Sequence, residues 1–204
     1  AQELRVGLRA GPSAIDPHFS ALGTNTGALK NIFDTLILRG DNLQLEPGLA
    51  TSWTLVDDLT WELQLREGVT FHDGSPFTAE DVKFSIDLIN NPKFRAGRRA
   101  GHELVRDITV VSPTELTWKL EKPYAPYPSI LSWTFIVPKH LMEKEADPNA
   151  STFATKPVGT GPFKWVERVP GDHITRAAHD GYHLDGPYLE RLVVKYIPDL
   201  TVLF

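Results

Sequence analysis

Residues 61–90 read WELQLREGVTFHDGSPFTAEDVKFSIDLIN, and the order of devices in this run decides what fold the chain can make. Just before and into it, over residues 59–66, apolar and polar side chains alternate. Leu59, Trp61, Leu63 and Leu65 fall on one side, Thr60, Glu62, Gln64 and Arg66 on the other. Successive strand side chains point to opposite faces, so this is a strand with one buried and one wet side. Glu67-Gly68 turns the chain, Val69 and Phe71 extend it, and His72-Asp73-Gly74 turns it again. Thr78-Ala79-Glu80-Asp81 then starts a helix. The Thr78 hydroxyl is placed to accept from the Asp81 N–H, and the Asp81 carboxylate to reach back toward the positive helix end. Val82, Ile86 and Ile89 share a helical face with Phe84 and Leu88 beside it, and Asn90-Asn91-Pro92 ends the helix.

Toward the N-terminus, Pro47-Gly48-Leu49-Ala50 and Trp53 lead into a hairpin tipped by Asp57-Asp58. The plain reading of Trp53 is a core aromatic above a turn, since aromatics bury large areas. Further back, Leu29, Ile32, Phe33, Leu36 and Ile37 give a buried helical stripe, and Leu4, Val6, Leu8 and Ala10 alternate as a first strand. Toward the C-terminus, KFRAGRRAGHELV (residues 93–105) lacks periodicity and reads as a mobile excursion. Ile108 and Val110, a Ser112-Pro113-Thr114 turn, then Leu116, Trp118 and Leu120 form a second hairpin. The prolines of EKPYAPYPS keep it out of a sheet interior, so it crosses an edge and enters a short helix through Leu131. Residues 133–138 read as a strand and 140–144 as a short helix. Residues 147–156 form a polar connector, and strands follow at 163–169, 173–178 and 189–197. The glycines of Pro157-Val158-Gly159-Thr160-Gly161-Pro162-Phe163 mark a backbone crossing by close approach or positive φ.

The composition is that of an ordinary globular chain: 204 residues, 41% hydrophobic, 23% charged, net charge −5 and no cysteine. This length allows one large domain or two small ones and buries roughly 70% of the unfolded surface. Mild acidity argues against a nucleic-acid partner, and the short cluster Arg95, Arg98, Arg99 does not form a basic stripe. No apolar run approaches the roughly 18 residues of a membrane helix. Without cysteine there is neither a disulfide frame nor thiolate chemistry.

Several of these segments, in this order, resemble the peptide-and-nickel class of bacterial solute-binding proteins, the extracytoplasmic receptors of ABC importers. The matching elements are Trp61; Leu65-Arg66-Glu67-Gly68-Val69; Phe71-His72-Asp73-Gly74; and Phe77-Thr78-Ala79-Glu80-Asp81-Val82. Asp16-Pro17-His18, Pro47-Gly48-Leu49-Ala50 with Trp53, Val137-Pro138-Lys139 and Gly159-Thr160-Gly161-Pro162-Phe163 add to them. His179-Asp180-Gly181 stands where the family has an Asn-Pro turn before Tyr182, a departure expected to alter only a surface turn.

The resemblance implies a mixed α/β fold: a partial lobe I of a two-lobed periplasmic-binding-protein fold, with a mixed sheet and an inserted β-rich subdomain. The expected division is a discontinuous lobe core at 1–41 and 157–204 and an insertion at 42–156, with the second lobe outside this chain. It implies a periplasmic receptor that captures a peptide or similar small solute and delivers it to permease subunits in the inner membrane. It further implies no catalysis, no cofactor, and a monomer at full length. An N-terminal Ala1 running into a strand fits a mature terminus left by signal-peptide removal, and a lipid-anchored relative would begin with cysteine. Leu200-Thr201-Val202-Leu203-Phe204 is an apolar end of the sort that continues inward, so an uncovered apolar surface is expected. Ligand contacts are expected from His18, Ser20, Gly23, Thr24 and Asn25 in the first loop, from Arg98, and from Ser132, Trp133 and Thr134. Each of these also has a plainer reading as surface or packing.

Other chemistries are weaker. His173, His179 and His183 among Asp172, Asp180 and Asp185 suggest a metal-dependent hydrolase, but no paired zinc spacing is present and a polar turn explains them. His72-Asp73 is an adjacent pair in a turn, poorly disposed as base and orienter. Gly159-Thr160-Gly161 lacks the Gly-Lys-Ser/Thr ending of a phosphate loop, and no Gly-x-Ser-x-Gly elbow occurs. A sensor or chaperone-like binding protein on the same scaffold stays open as an alternative to the importer receptor.

Overall fold

A computed structural model describes residues 2–11, 15–19, 23–150 and 152–198. Strand β1 (Glu3–Leu8) and helix α1 (Gly23–Leu29) come first, followed by short strands β2 (Ile37–Arg39) and β3 (Leu45–Pro47). A hairpin of β4 (Ala50–Leu55) and β5 (Thr60–Leu65) leads to helix α2 (Ala79–Asn90), and a second hairpin pairs β6 (Val105–Ser112) with β7 (Glu115–Leu120). Short helices α3 (Tyr127–Leu131) and α4 (Lys139–Met142) precede β8 (Phe163–Val169), β9 (His173–Ala178) and β10 (Arg191–Tyr196).

Among the described residues the strands form two larger sheets. One is antiparallel, in the order β4-β5-β7-β6, and one is mixed, in the order β1-β10-β9-β8, with β1 parallel to β10. The alternation in β5 does what its pattern requires. Leu63 and Leu65 are buried, and Leu63 lies opposite Leu116 and Trp61 opposite Trp118 of β7. Helix α2 lays Val82, Ile86 and Ile89 onto this sheet, each fully buried, and each such side chain stabilises the fold by about 1.5–3 kcal/mol. Its start is fixed by Asp81, whose carboxylate accepts from the Thr78 N–H at 2.9 Å. The Asp81 N–H goes to the Thr78 carbonyl (3.0 Å), and the Thr78 hydroxyl donates to the same carboxylate at 3.4 Å.

A second cluster, containing Leu29, Ile32, Phe33, Phe94, Phe135 and Phe153, sits beneath α1. Here the structure departs from the sequence pattern. The stripe from Leu29 to Ile37 is buried throughout, but α1 ends at Leu29 and Ile37 already belongs to β2. Ile32, Phe33 and Leu36 are buried by an irregular crossing strand of chain rather than by helical spacing. Residues 133–138 likewise make only a single bridge, Thr35 to Phe135.

The glycine crossing joins the chain after α1 to the start of β8. The Gly161 N–H donates to the Ile32 carbonyl at 2.9 Å and the Phe163 N–H to the Asn31 carbonyl at 2.9 Å. A Cβ on Gly159 would sit on the Ile32 carbonyl oxygen, and one on Gly161 would lie 2.6 Å from the Ile32 carbonyl carbon. Close approach, not left-handed backbone, is the reason for glycine here.

Two further expectations change. Residues 93–105 are tied down. Arg99 donates to the carbonyls of Ile89, Asn91 and Phe94, and Phe94 and His102 are buried. Backbone carbonyls satisfied by arginine replace the periodic pattern that a helix would have shown. The turn after β9 is no simple surface turn either, because His179 is buried and packs edge-on against His72 at 4.9 Å. The apolar end at 200–204 lies outside the described residues.

Candidate functional site

Arg98 organises one wall of the molecule. Its Nε donates to the Pro17 carbonyl (2.9 Å), one terminal nitrogen to the Trp133 carbonyl (3.2 Å) and the other to the Thr26 hydroxyl (2.7 Å). Its guanidinium also lies 5.1 Å from the centre of the Phe135 ring. A planar fork with fixed donors suits this task better than a point charge. One side chain thereby gathers the loop at 15–19, helix α1 and the segment at 132–135.

His18 and Asp16 make the loop rigid. The Asp16 carboxylate accepts from the His18 N–H at 2.8 Å, His18 Nε2 meets the Phe135 carbonyl at 2.9 Å, and Gly97 N–H reaches the His18 carbonyl. Burial pushes the Asp16 carboxyl up and the His18 imidazole down. Thr134 belongs to a separate proton chain. The Tyr127 hydroxyl meets His102 Nδ1 (3.2 Å), His102 Nε2 meets the Thr134 hydroxyl (2.7 Å), and that hydroxyl donates to the Ile130 carbonyl (3.0 Å). Because Thr134 spends its only hydrogen on Ile130, His102 donates from Nε2 and accepts at Nδ1. Burial pushes this imidazole down to about 3, so it stays neutral.

Of the residues expected to touch a ligand, His18, Asn25, Ser132 and Thr134 are therefore buried within the wall, each at most 3% exposed. Trp133 is 45% exposed. Arg98 lies behind it, Ser20 lies outside the described residues, and of Gly23 and Thr24 only the helical backbone is described. The open indole has company that sequence reading missed. Lys30 Nζ stands 5.2 Å and Arg39 Cζ 5.9 Å from its ring centre, and Arg39 Nε reaches Ser132 at 3.4 Å. Lys30, Arg39 and Ser132 line a cavity of about 560 Å³ together with Asp34, Asp41 and Tyr182. Aromatic surface beside cations and a few polar groups is how small-solute pockets are built.

Asp34 forms the cavity's buried end. It accepts from the Thr160 hydroxyl at 2.8 Å and the Tyr182 hydroxyl at 3.2 Å, and burial pushes its carboxyl up to about 6 despite those bonds. His183 Nε2 stays 3.8 Å away, too far for a hydrogen bond, and burial holds this imidazole down near 4. Tyr182 and His183 carried no spacing that would have pointed from sequence to Asp34.

The rival chemistries are dispersed. His173 pairs with Asp172 (2.6 Å) and faces Glu167 (3.6 Å), whereas His179 packs on His72 and His183 lies by Asp34. Among the described residues no three His, Cys, Asp or Glu side chains converge on a metal position. Asp73, His140 and Ser75 do meet, but Asp73 (2.7 Å) and Ser75 (3.2 Å) contact the same nitrogen, His140 Nε2. A nucleophile relay needs one partner on each ring nitrogen. No described helix is long and apolar enough to cross a membrane.

Comparison with known proteins shows which family the chain belongs to. The profile described as "Bacterial extracellular solute-binding proteins, family 5 Middle" matches residues 44–204. The chain is 30% identical over 202 residues to the oligopeptide-binding protein AppA of Bacillus subtilis, covering 97% of this chain and 37% of that protein. It is 31% identical to protein XP55 of Streptomyces lividans, covering 99% of this chain and 36% of that protein. Among solved structures, NikZ from Campylobacter jejuni in complex with Ni(L-His) superposes with a TM-score of 0.90 at 32% identity, over 98% of this chain and 40% of that one. AppA in complex with a nonapeptide gives 0.92 at 28% identity, over 98% and 41%. The chain thus spans less than half the length of these relatives, which are binding proteins by name or by bound ligand in the case of AppA and NikZ. The mixed α/β architecture with its mixed sheet is that of a partial lobe of this fold, and the chain belongs to the bacterial extracellular solute-binding proteins, family 5.

Proposed function

We propose that the full-length protein is the extracytoplasmic receptor of an ABC importer. It captures a peptide or a similar small solute between two lobes by hinge closure and hands it to permease subunits in the inner membrane. In this reading it works in the periplasm, as a monomer, and catalyses no reaction. The observation that carries it is the match along 97% of the chain to an oligopeptide-binding protein whose structure holds a nonapeptide. Residues 1–41 and 157–204 then form the lobe core and 42–156 its insertion, a division supported by the two four-stranded sheets, one in each part, while the short β2–β3 pair bridges the first boundary.

In the site, Trp133 offers its open face to the solute, with Lys30 and Arg39 beside it for carboxylates. In this reading Ser20, Gly23 and Thr24 supply further contacts to the solute, while His18, Asn25, Arg98, Ser132 and Thr134 hold the wall in shape. The test is native mass spectrometry of the full-length protein purified from its own periplasm. A bound solute, released on denaturation and rebinding when added back, is expected. Protein that carries none, and that binds neither peptides nor small chelates in calorimetry, would sink the reading.

A further inference from the structure

Among the described residues the mixed sheet carries a buried arginine with no carboxylate to neutralise it. Arg176 of β9 is 2% exposed, yet among the described residues no carboxylate lies within ion-pair distance, and its Nε has no hydrogen-bond partner. Leaving a guanidinium buried and unpaired is strongly destabilising, and Arg remains protonated under all ordinary conditions. The hydroxyl of Tyr196, on the same sheet face, is buried and has no hydrogen-bond partner among the described residues either. In the register, Leu4 lies beside Leu192, Val6 beside Val194 and Leu8 beside Tyr196, while Arg176 lies across from Leu192. These side chains share one face. Part of it is roofed by α1, but Leu4 and Leu8 stand 45% and 40% exposed at its β1 end. Between roof and open end runs a groove of about 440 Å³, lined by Val6, Leu8, Leu192, Val194, Arg176 and Arg9.

The lining specifies its occupant: aliphatic contact over most of the length and an anion at one point. The family frame indicates where this comes from, since the relatives carry more than half of their length outside the part this chain matches. Sheets bury their apolar faces under helices. We propose that in the full-length protein an amphipathic helix from outside residues 1–204 seats on the β1–β10 face and sets an Asp or Glu side chain against Arg176. The inference rests on family membership and not on which solute is bound, so a failure to find ligand leaves it standing.

Two measurements test it, each on the 204-residue chain and on the full-length protein. Leu4→Cys introduces a thiol into a chain without cysteine, and its labelling by a maleimide, followed by peptide mapping, reports cover on the face. Labelling at least about tenfold slower in the full-length protein is expected. Equal rates overturn the proposal, and so does protection in the 204-residue chain that grows with protein concentration, which assigns the face to self-association. Arg176→Leu reads the charge. It raises the melting temperature of the 204-residue chain by removing an unpaired charge and lowers that of the full-length protein by orphaning a carboxylate, with Arg176→Lys lowering it less. The same sign in both proteins overturns the salt bridge.

Discussion

His72 Nε2 donates to the Gly161 carbonyl at 2.9 Å, which fastens the turn after β5 to the glycine crossing before β8. The bond is reciprocated, because the Gly159 N–H reaches His72 Nδ1 at 3.2 Å and the His72 N–H reaches the Gly159 carbonyl at 2.9 Å. His179 Nδ1 shares the Gly161 acceptor at 3.2 Å. With Nδ1 accepting and Nε2 donating, His72 is held as the neutral tautomer, and burial brings it down to about 4.

Acid should therefore loosen this junction. His72, His183 and His102 have folded values of about 4, 4 and 3, below the ordinary 6.5. A depressed histidine contributes stability that is complete above 6.5 and is lost as pH falls toward the folded value, at roughly 1.4 kcal/mol per pH unit for each group. Asp34 works the other way. Raised to about 6 from 3.8, it contributes stability that is full below 3.8 and lost as pH rises through 6. His18 and His179 are lowered too, and Asp16 and Asp81 raised, so five histidines against three carboxyls give a net fall in stability from pH 6.5 to 4.5, measurable by urea unfolding. His72→Ala should flatten that slope and cost about 1–3 kcal/mol at pH 7.5, while His72→Gln, which keeps a donor in reach, costs less.

The glycine crossing gives a sharper contrast. Gly159→Ala and Gly161→Ala drive a methyl into the backbone of Ile32, and overpacking against backbone is expected to cost roughly 3 kcal/mol or more. Gly27→Ala in α1 meets nothing within 4 Å and should stabilise by about 0.5–1 kcal/mol. Equal effects at the three positions in thermal or denaturant unfolding would contradict the close-approach account.

What the sequence disclosed and what it withheld divide along a physical line. Strand β5 and helix α2 were legible because each displays its own period over six or more residues and then stops at a turn or cap. The end of α1 was not. Ile32, Phe33 and Leu36 are apolar for reasons of tertiary burial, and a buried irregular segment imitates a helical stripe. The candidate site was legible only as segments matched to a family. That Trp133 faces outward while Thr134 faces His102 depends on one residue's step along an irregular chain. The pairing of Asp34 with Thr160 and Tyr182 spans 126 and 148 residues and leaves no local mark.

Asp34 offers a direct titration. Its carboxyl carbon, followed by carbon-detected NMR, should titrate near 6 rather than in the ordinary aspartate range. Tyr182→Phe removes a donor that favours the carboxylate and should move the midpoint further up. At pH 7.5 the same substitution should cost about 1–2 kcal/mol, because the ionised carboxylate loses a bond inside the protein. A midpoint that stays put in Tyr182→Phe would remove the tyrosine from this account.

The neighbours Trp133 and Thr134 should separate binding from stability. Trp133 is exposed, and its two cations sit at the surface, where such contacts are worth only about 0.5–1 kcal/mol. Trp133→Ala should leave the unfolding midpoint nearly unchanged yet weaken binding of the co-purified solute by the full-length protein about tenfold or more. Thr134→Val is its mirror image. It keeps the shape, removes the acceptor of His102 Nε2 and leaves that buried donor unpaired, at a cost of about 1–3 kcal/mol. Affinity should follow only as far as the fold loosens. Calorimetric titration of both variants, alongside unfolding at the same pH, decides the matter: a Trp133→Ala variant that binds as tightly as the parent would take the indole out of the site and leave Arg98's wall a purely structural feature.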